Sequence, residues 1–429
     1  MTTKSVMKEF DSDLHFHGLY SGGVSKNMLP AVIAEQAQLK GLDIVSTSDI
    51  LHEKWNSQCK KELLEESNGV FKHRKFDTYF ILGTEAETND RVHHLIYFPD
   101  FSSAENLKKS LEGKGIFDSM GCGRPRIRIN SEELTEKVID ANAILGPAHA
   151  FTPYFSIYAH HNSMSDCYGS MKDKISFMEL GLSADTFFAD KISDNHNYVF
   201  LTNSDSHSPW PHRIGREFSR IKMSEPSFKE LKNSVEKRKE NFILNVGFDP
   251  REGKYHCTAC ISCFEKYSLK ESESLNWKCP KCKAVIKKGV RDRILELADL
   301  KKEAHPKFRP AYIHSIPLAE IIQIAYGVKG VNTAKVQSTW MKFIDSFGSE
   351  INILVDEPVE NLERVDELVA KKINSFRKGF VHYIPGGGGN YGVPIICNSK
   401  EDFENKKNEL AEKLECASEN KKQKKLGEF

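Results

Sequence analysis

The 429-residue sequence has almost no net charge, with 61 Lys and Arg against 60 Asp and Glu. It is therefore not a polycation that coats nucleic acid along its whole surface. It lacks an apolar run long enough to span a bilayer, and its start, MTTKSVMKEF, does not read as a secretory signal. No membrane partner is expected, and the cytoplasm is the expected location. Internal repeats are missing as well. The one glycine run, PGGGGNYG at 385–392, lacks the Lys-Ser/Thr of a nucleotide P-loop, which argues against an NTP site. Its backbone amides could approach a phosphate, or it could form a flexible turn.

The chain carries its charge unevenly. Residues 251–310 hold 15 Lys and Arg against 8 Asp and Glu, whereas the first 250 residues come out at net −5. Five of the ten cysteines fall between Cys257 and Cys282, which favours metal thiolates in a reducing compartment over a disulfide framework. Up to about residue 247, strand-like stretches (13–17, 43–47, 79–84, 93–98, 143–149, 176–180 and 198–202) alternate with helix-like ones. A helix is expected over 30–40, from a first-turn Pro to Gly41. Another is expected over 131–142, with Asn130 as N-cap and Glu133 as its reciprocal partner. Strand–helix repetition implies a mostly parallel sheet, open or closed into a barrel, with chemistry at the carboxyl ends of its strands. After residue 288 four windows space apolar residues three and four apart, so the remainder is mostly helical. The last residues, ENKKQKKLGEF, are expected to fray.

Imidazoles and carboxylates recur where those strands end. Asp13, His15 and His17 share one face of DLHFH, because side chains alternate with period two. Asp49 ends DIVSTSD, Glu85 follows YFILGT, His149 ends AILGPAH, and Asp205 and His207 end the YVFLTNSDSH strand. In VHHLIYF one of His93 and His94 faces inward and the other outward. Singly, each of these is as readily a hydrogen-bonded core or capping residue. Buried together without metal, nine such groups would carry severe desolvation and repulsion costs, so the set points to a multinuclear centre of divalent ions.

Six stretches, DLHFH, STSD, GTEAE, VHHLI, GPAHA and NSDSH, resemble the successive motifs of the polymerase-and-histidinol-phosphatase (PHP) family over residues 11 to about 248. The resemblance implies a distorted (β/α)7 barrel holding two or three divalent metals (Zn, Mn, Mg or Fe) that hydrolyses phosphate esters. Carried over motif by motif, it implies His15, His17, Asp49, Glu85, His94, His149, Asp205 and His207 as ligands. His94 is preferred to His93 because it directly precedes LIY. The second motif departs from the family: Ile50 follows Asp49 where many members have His, which leaves ligation of the third metal open between Asp49 and His52, the latter near enough to substitute.

The cysteines allow two first knuckles, Cys257/Cys260 or Cys260/Cys263, before the second, Cys279/Cys282. Phe264 after the second cysteine favours Cys260, Cys263, Cys279 and Cys282 as one structural zinc ribbon, with Cys257 a small buried residue. Lys287, Lys288, Arg291 and Arg293 beside it, and Arg124 and Arg126 in GRPRIRIN, are candidate phosphate contacts, although charge runs are usually solvated faces.

The arrangement of the whole chain (a PHP domain over 1–248, a four-cysteine zinc module over 249–290, a helical region with a glycine loop over 291–429) resembles the endonuclease Q family. That resemblance implies nicking of DNA, as damaged duplex or single strand, on the 5′ side of deaminated bases or abasic sites. Asp205, Glu85 and His207 would be the catalytic carriers, and Phe151, Tyr154 and Phe155 would line a base pocket. A sliding clamp or another repair protein is a further expected partner. The alternatives are a small-molecule phosphatase of the histidinol-phosphatase kind and a nucleic-acid-binding module with a degenerate barrel.

Overall fold

In the computed structural model, which describes residues 6–67, 69–411 and 413–416, seven strands close a ring in chain order. They are β1 (Lys8–Asp13), β2 (Ile44–Ser46), β3 (Tyr79–Glu87), β4 (His93–Phe98), β5 (Ile144–Pro147), β6 (Phe177–Glu179) and β7 (Val199–Leu201). β1, β2 and β3 run parallel, as do β6 and β7. β5 meets β6 through the Ser176 amide on the Leu145 carbonyl (2.9 Å), and the ring closes where the His17 amide reaches the Ser206 carbonyl (2.9 Å). This is the distorted seven-stranded α/β barrel expected from the motifs. It is less parallel than expected, because β3–β4 and β4–β5 are antiparallel. Residues 88–92 alone join β3 to β4, too short a link for a crossover helix.

The strands alternate between two apolar layers. Leu14, Ile44, Ile81, Leu95, Tyr97, Ile144 and Phe177 fill the inside, while Val45, Phe80, Leu82, Ile96, Leu145 and Met178 pack outward against the helices. β1 starts and ends earlier than expected, so His15 and His17 lie just past its carboxyl end rather than within it. The helix Pro30–Lys40 has the expected bounds. Asn130 caps Ser131–Asp140 by accepting the Glu133 amide at 2.8 Å. The expected return bond is not made; the Glu133 carboxylate pairs with Lys114 instead.

Three strands absent from the sequence reading extend the sheet from β1: β8 (Phe218–Met223), β9 (Phe242–Gly247) and β10 (Ala311–His314). β10 lies beyond residue 290, yet it pairs with β9 of the barrel region. Val290 and Ile294, on the helix Val290–Leu297, also join the barrel's outer core. The helices Leu318–Tyr326, Ala334–Phe347 and Glu367–Arg377 fall in the expected windows and bury Ile321, Trp340, Phe343 and Ile373 in a separate core. A buried ion pair ties that core to the barrel: Lys40 Nζ lies 2.6 Å from Glu350, whose carboxylate also accepts Trp340 Nε1 and the Leu318 amide. No helix among the described residues is long and apolar enough to cross a membrane.

The glycine run is neither a phosphate loop nor a flexible turn. The Gly386, Gly389 and Gly392 amides donate to the carbonyls of Arg251, Lys254 and Glu252, and the Cys257 amide donates back to Gly386, all at 2.8–2.9 Å. A Cβ on Gly388 would stand 2.2 Å from the Cys260 carbonyl oxygen, and one on Gly392 2.1 Å from that of Arg251. Only backbone fits there, and the amides of Gly386, Gly387, Gly389 and Gly392 are already spent. Cys257 is not a lone buried thiol either. It is disulfide-bonded to Cys416, 159 residues on, a pairing that knuckle spacing could not reveal. The expected fraying of residues 419–429 lies outside the described residues.

Candidate metal centre

The strand ends deliver their imidazoles around one carboxylate. Glu85 directs Oε2 toward His17 Nε2 (3.3 Å) and His15 Nε2 (3.8 Å). Its Oε1 lies 2.8 Å from His93 Nδ1 and 3.0 Å from His149 Nε2. Asp205 Oδ1 completes the first group, 3.4 Å from His17 and 3.7 Å from His15. Two triads result, His15/His17/Asp205 and Glu85/His93/His149, each with its ligand atoms within 4.8 Å of one another.

The fit to metal rests on unpartnered atoms. His15 Nε2 and His17 Nε2, the nitrogens turned toward Glu85 and Asp205, are buried and make no hydrogen bond, a costly state unless a cation takes the lone pairs. The opposite nitrogens of both rings are held as ligand histidines usually are. His15 Nδ1 is 3.0 Å from Glu179, and His17 Nδ1 is 3.4 Å from Asp49. Burial works against charge throughout. Even so, Glu179, Asp205 and Glu85 raise His15 well above its ordinary range, while His93, Arg124 and His15 hold Glu85 well below its own. The backbone is strained where these ligands turn inward: φ is 48° at Asp49, 46° at Asp205 and 29° at His149.

His94 does not join the cluster. In the β3–β4 ladder Glu85 opposes Leu95 and Glu87 opposes His93, so His93 shares the face of Glu85 and His94 takes the other. His94 is fully buried between Thr88 and Ser131 on Nε2 and Tyr168 on Nδ1, and burial presses it down to about 3. The structure thus sets His93, not the expected His94, beside Glu85 and His149. A third group is not assembled at the mouth among the described residues. Asp49 accepts the Gly18 amide and the Ser21 hydroxyl at 2.7 and 2.8 Å, His207 is partly exposed with its ring 4.6 Å from His17, and His52 stacks on Tyr20.

Sequence reasoning missed Glu179, which besides His15 binds the His149 amide (2.7 Å) and Asn203 (2.8 Å). Its signal was available: a carboxylate ending the strand ISFMEL, like the other strand-end acids. Asp13 is an organiser, accepting the amides of Ser204 and Gly215 at 3.0 and 2.8 Å.

A cleft of about 630 Å³ opens beside the triads, lined by His17, Ser21, Ile116, His207, Arg124, Arg126 and Arg128. Arg124 reaches Glu85 at 3.2 Å and Arg126 reaches Glu87 at 3.0 Å. The ribbon-side cations do not fan over one free surface. Arg293 spends its guanidinium on the Tyr158 and His161 carbonyls and Asn162, bracing its helix to the barrel. Lys288 pairs with Glu296, Arg291 with Asp292, and Lys287 lies over the Tyr154 ring. The three expected base-pocket aromatics also diverge. Phe151 is core, stacked on Tyr158; Tyr154 meets Tyr255; Phe155 stacks on His93 at 5.0 Å under Arg91.

Cys260, Cys263, Cys279 and Cys282 bring their sulfurs within 4.8 Å of one another. Phe264 and Lys283, each directly after a second cysteine, take φ of 59° and 64° and turn both knuckles alike. Ser262 donates its amide to Cys260 Sγ, and the Tyr267 hydroxyl, first among its influences, lowers Cys279 to about 6. With the paired strands Ala259–Cys260 and Ile286–Lys287, this is the geometry of a zinc ribbon.

A family model described as the MJ0043 C-terminal domain matches residues 317–380. The chain is 46% identical over 255 residues to the uncharacterized protein MJ0043 of Methanocaldococcus jannaschii, a match spanning 58% of this chain and 32% of that protein. It is 31% identical to the uncharacterized protein YqxK of Bacillus subtilis, across 90% of this chain and 99% of that one. Among solved structures it resembles the lesion-specific endonuclease PfuEndoQ of Pyrococcus furiosus, with 43% identity, TM-score 0.85, and 96% and 100% of the two chains covered. It also resembles endonuclease Q complexed with a 27-mer duplex carrying an abasic lesion at the active site, with 43% identity, TM-score 0.86, and 92% and 98% covered. The chain belongs to the endonuclease Q family.

Proposed function

We propose that this chain is a metal-dependent endonuclease that hydrolyses the DNA phosphodiester 5′ of a deaminated base (uracil, hypoxanthine or xanthine) or of an abasic site. The observation that carries this reading is Glu85, whose two oxygens face separate histidine groups beside an arginine-lined cleft. A solved relative in the same family holds duplex DNA with an abasic lesion at its active site, which supports the choice of substrate. His15, His17 and Asp205 would hold one divalent ion, and His93 and His149 a second, with Glu85 between them. Imidazole with carboxylate suits Zn, Mn or Fe, and Mg remains an alternative. Bound ions supply Lewis acidity toward the phosphodiester. The protein does the rest. Arg124, Arg126 and Arg128 neutralise the backbone and hold the strand across the cleft. Asp205, at the solvent edge, would orient the attacking water, and His207 would take up the proton that this water loses and donate it to the leaving 3′ oxygen. Glu179 and Asp49 fix the tautomers of His15 and His17. The four cysteines would hold a zinc that folds the ribbon and takes no part in chemistry.

Labelled duplexes bearing a single uracil, hypoxanthine or abasic site, incubated with Mg, Mn or Zn beside an undamaged duplex, test this. A nick confined to the 5′ side of the lesion is expected. Equal nicking of the undamaged duplex, or none of any, sinks the reading, and phosphate release from histidinol phosphate would favour a small-molecule phosphatase.

A further inference from the structure

Residues 113–122 form a lip on the metal cleft that neither the ligands nor the arginines explain. Its tip is apolar and open to solvent: Ile116 is 62% exposed and Met120 74%. Ile116 itself lines the cleft together with His17 and Arg124. The extended segment returning from the tip alternates in burial. Pro125, Ile127 and Ile129 are buried, Arg126 and Arg128 are exposed, and the half-buried Arg124 turns into the cleft toward Glu85. An apolar tip thus stands directly beside a row of three cations.

The lip is held rather than loose. Phe117, between the two tip residues, is buried. Asp118 accepts the Glu53 amide at 2.8 Å and pairs with Lys108 at 2.7 Å. The amides of Gly121 and Gly123 donate to the Tyr20 carbonyl, and that of Arg128 to the Lys114 carbonyl. Gly123 lies so close to the metal-side shell that a Cβ there would meet Asp49 Oδ2 at 2.5 Å. The tip is therefore fixed relative to Asp49 and its neighbours at the barrel mouth.

Resting on the endonuclease reading, we propose that Ile116 and Met120 are a wedge that enters the base stack of duplex DNA at the lesion, while the arginine row grips the backbone. A lesion in a duplex must leave the stack before its flanking phosphodiester can reach the metals. Proteins that unstack DNA do so with apolar side chains flanked by cations. A damaged base unstacks at lower cost than a paired one, so a fixed wedge favours lesions without reading every base. A single-stranded lesion needs no wedge.

The test compares the unaltered protein with the double variant Ile116→Ala/Met120→Ala on one uracil-containing strand, presented as duplex and as single strand. Nicking of the uracil duplex by the unaltered protein checks the underlying reading; if it fails, the wedge fails with it. The wedge itself is read from the ratio. The double variant should lose about tenfold or more on the duplex, as expected when unstacking is no longer supported, and stay within about twofold on the single strand. 2-Aminopurine beside the lesion should brighten on binding to Glu85→Gln, which holds the duplex uncut, and stay quenched when the two tip substitutions are added. Ile116→Leu/Met120→Leu should restore both signals. An equal loss on both substrates, or unchanged nicking with unchanged fluorescence, overturns the wedge.

Discussion

The barrel mouth and the cysteine ribbon are both metal-binding arrangements, and they are built on opposite plans. The ribbon offers four sulfurs and nothing else, with its own small core of Cys260, Tyr267, Cys279 and Ile286. A closed tetrahedron leaves no position for substrate, so a metal held there would serve only to fold the segment. The barrel mouth is unequal around its ligands. His15 and His17 are buried and braced from behind, while Asp205 and His207 stand a third or more exposed at a cleft. Buried bracing on one side and solvent on the other is what a reacting site requires. The contrast teaches that second-layer contacts and exposure, rather than the count of ligands, separate chemistry from scaffolding.

The strongest way to break the comparison is Glu85→Gln. It should lower nicking by about a thousandfold or more, because it removes the charge shared by both triads, while thermal unfolding and ribbon metal stay in place. Loss of folded protein would mean that the mouth is scaffold too. Next comes Cys279→Ser. One zinc equivalent should vanish and residues 257–288 should become protease-sensitive, because such segments draw their folding energy from the metal. Metal content of the barrel should not change; zinc unchanged by this substitution would remove the ribbon from the account. Glu179→Gln should then cost about 10- to 100-fold in metal affinity at the mouth, the usual penalty for losing a ligand's orienting partner. Titration of metal against activity reads it directly, and an unchanged affinity would reduce Glu179 to packing.

The smallest effect belongs to His94→Phe. Metal content and nicking should survive, with stability lower by about 1–3 kcal/mol as Tyr168, Thr88 and Ser131 lose their partner. The pH dependence carries a signature. His94 is pressed from 6.5 down to about 3, so in that window the unfolded chain binds a proton that the folded chain refuses. Its contribution is intact above pH 6.5 and is lost as the pH falls below it, by at most about 1.4 kcal/mol per pH unit. Denaturant titrations between pH 7 and 4 should show a shallower acid decline in the variant. A parallel decline, together with lost metal, would return His94 to the ligand set.

Much of the mouth was legible because imidazoles and carboxylates at strand ends repeat with period two: His15 and His17, then Asp205 and His207, were visible before any fold was known. The choice between His93 and His94 was not, since adjacent residues differ only in which face they take, and that depends on the register of β4 against β3. Arg293 reads as a free cation in sequence and is a brace in space, because its acceptors are carbonyls in and just after the short helix Ile157–His160, more than a hundred residues away. The outer strands β8 to β10 escaped notice for a related reason. They are edge additions whose partners the local pattern does not name.

The glycine interlock means that this chain does not come apart at the joints its sequence suggests. The carbonyls of Arg251, Glu252 and Lys254 are satisfied by amides from beyond residue 385. A gene fragment ending near 290, designed to yield a barrel with its ribbon, would therefore leave those acceptors bare and the root of the ribbon without its lining. Truncations meant to isolate one activity or one surface would damage both, so point substitutions are the sounder way to dissect this protein.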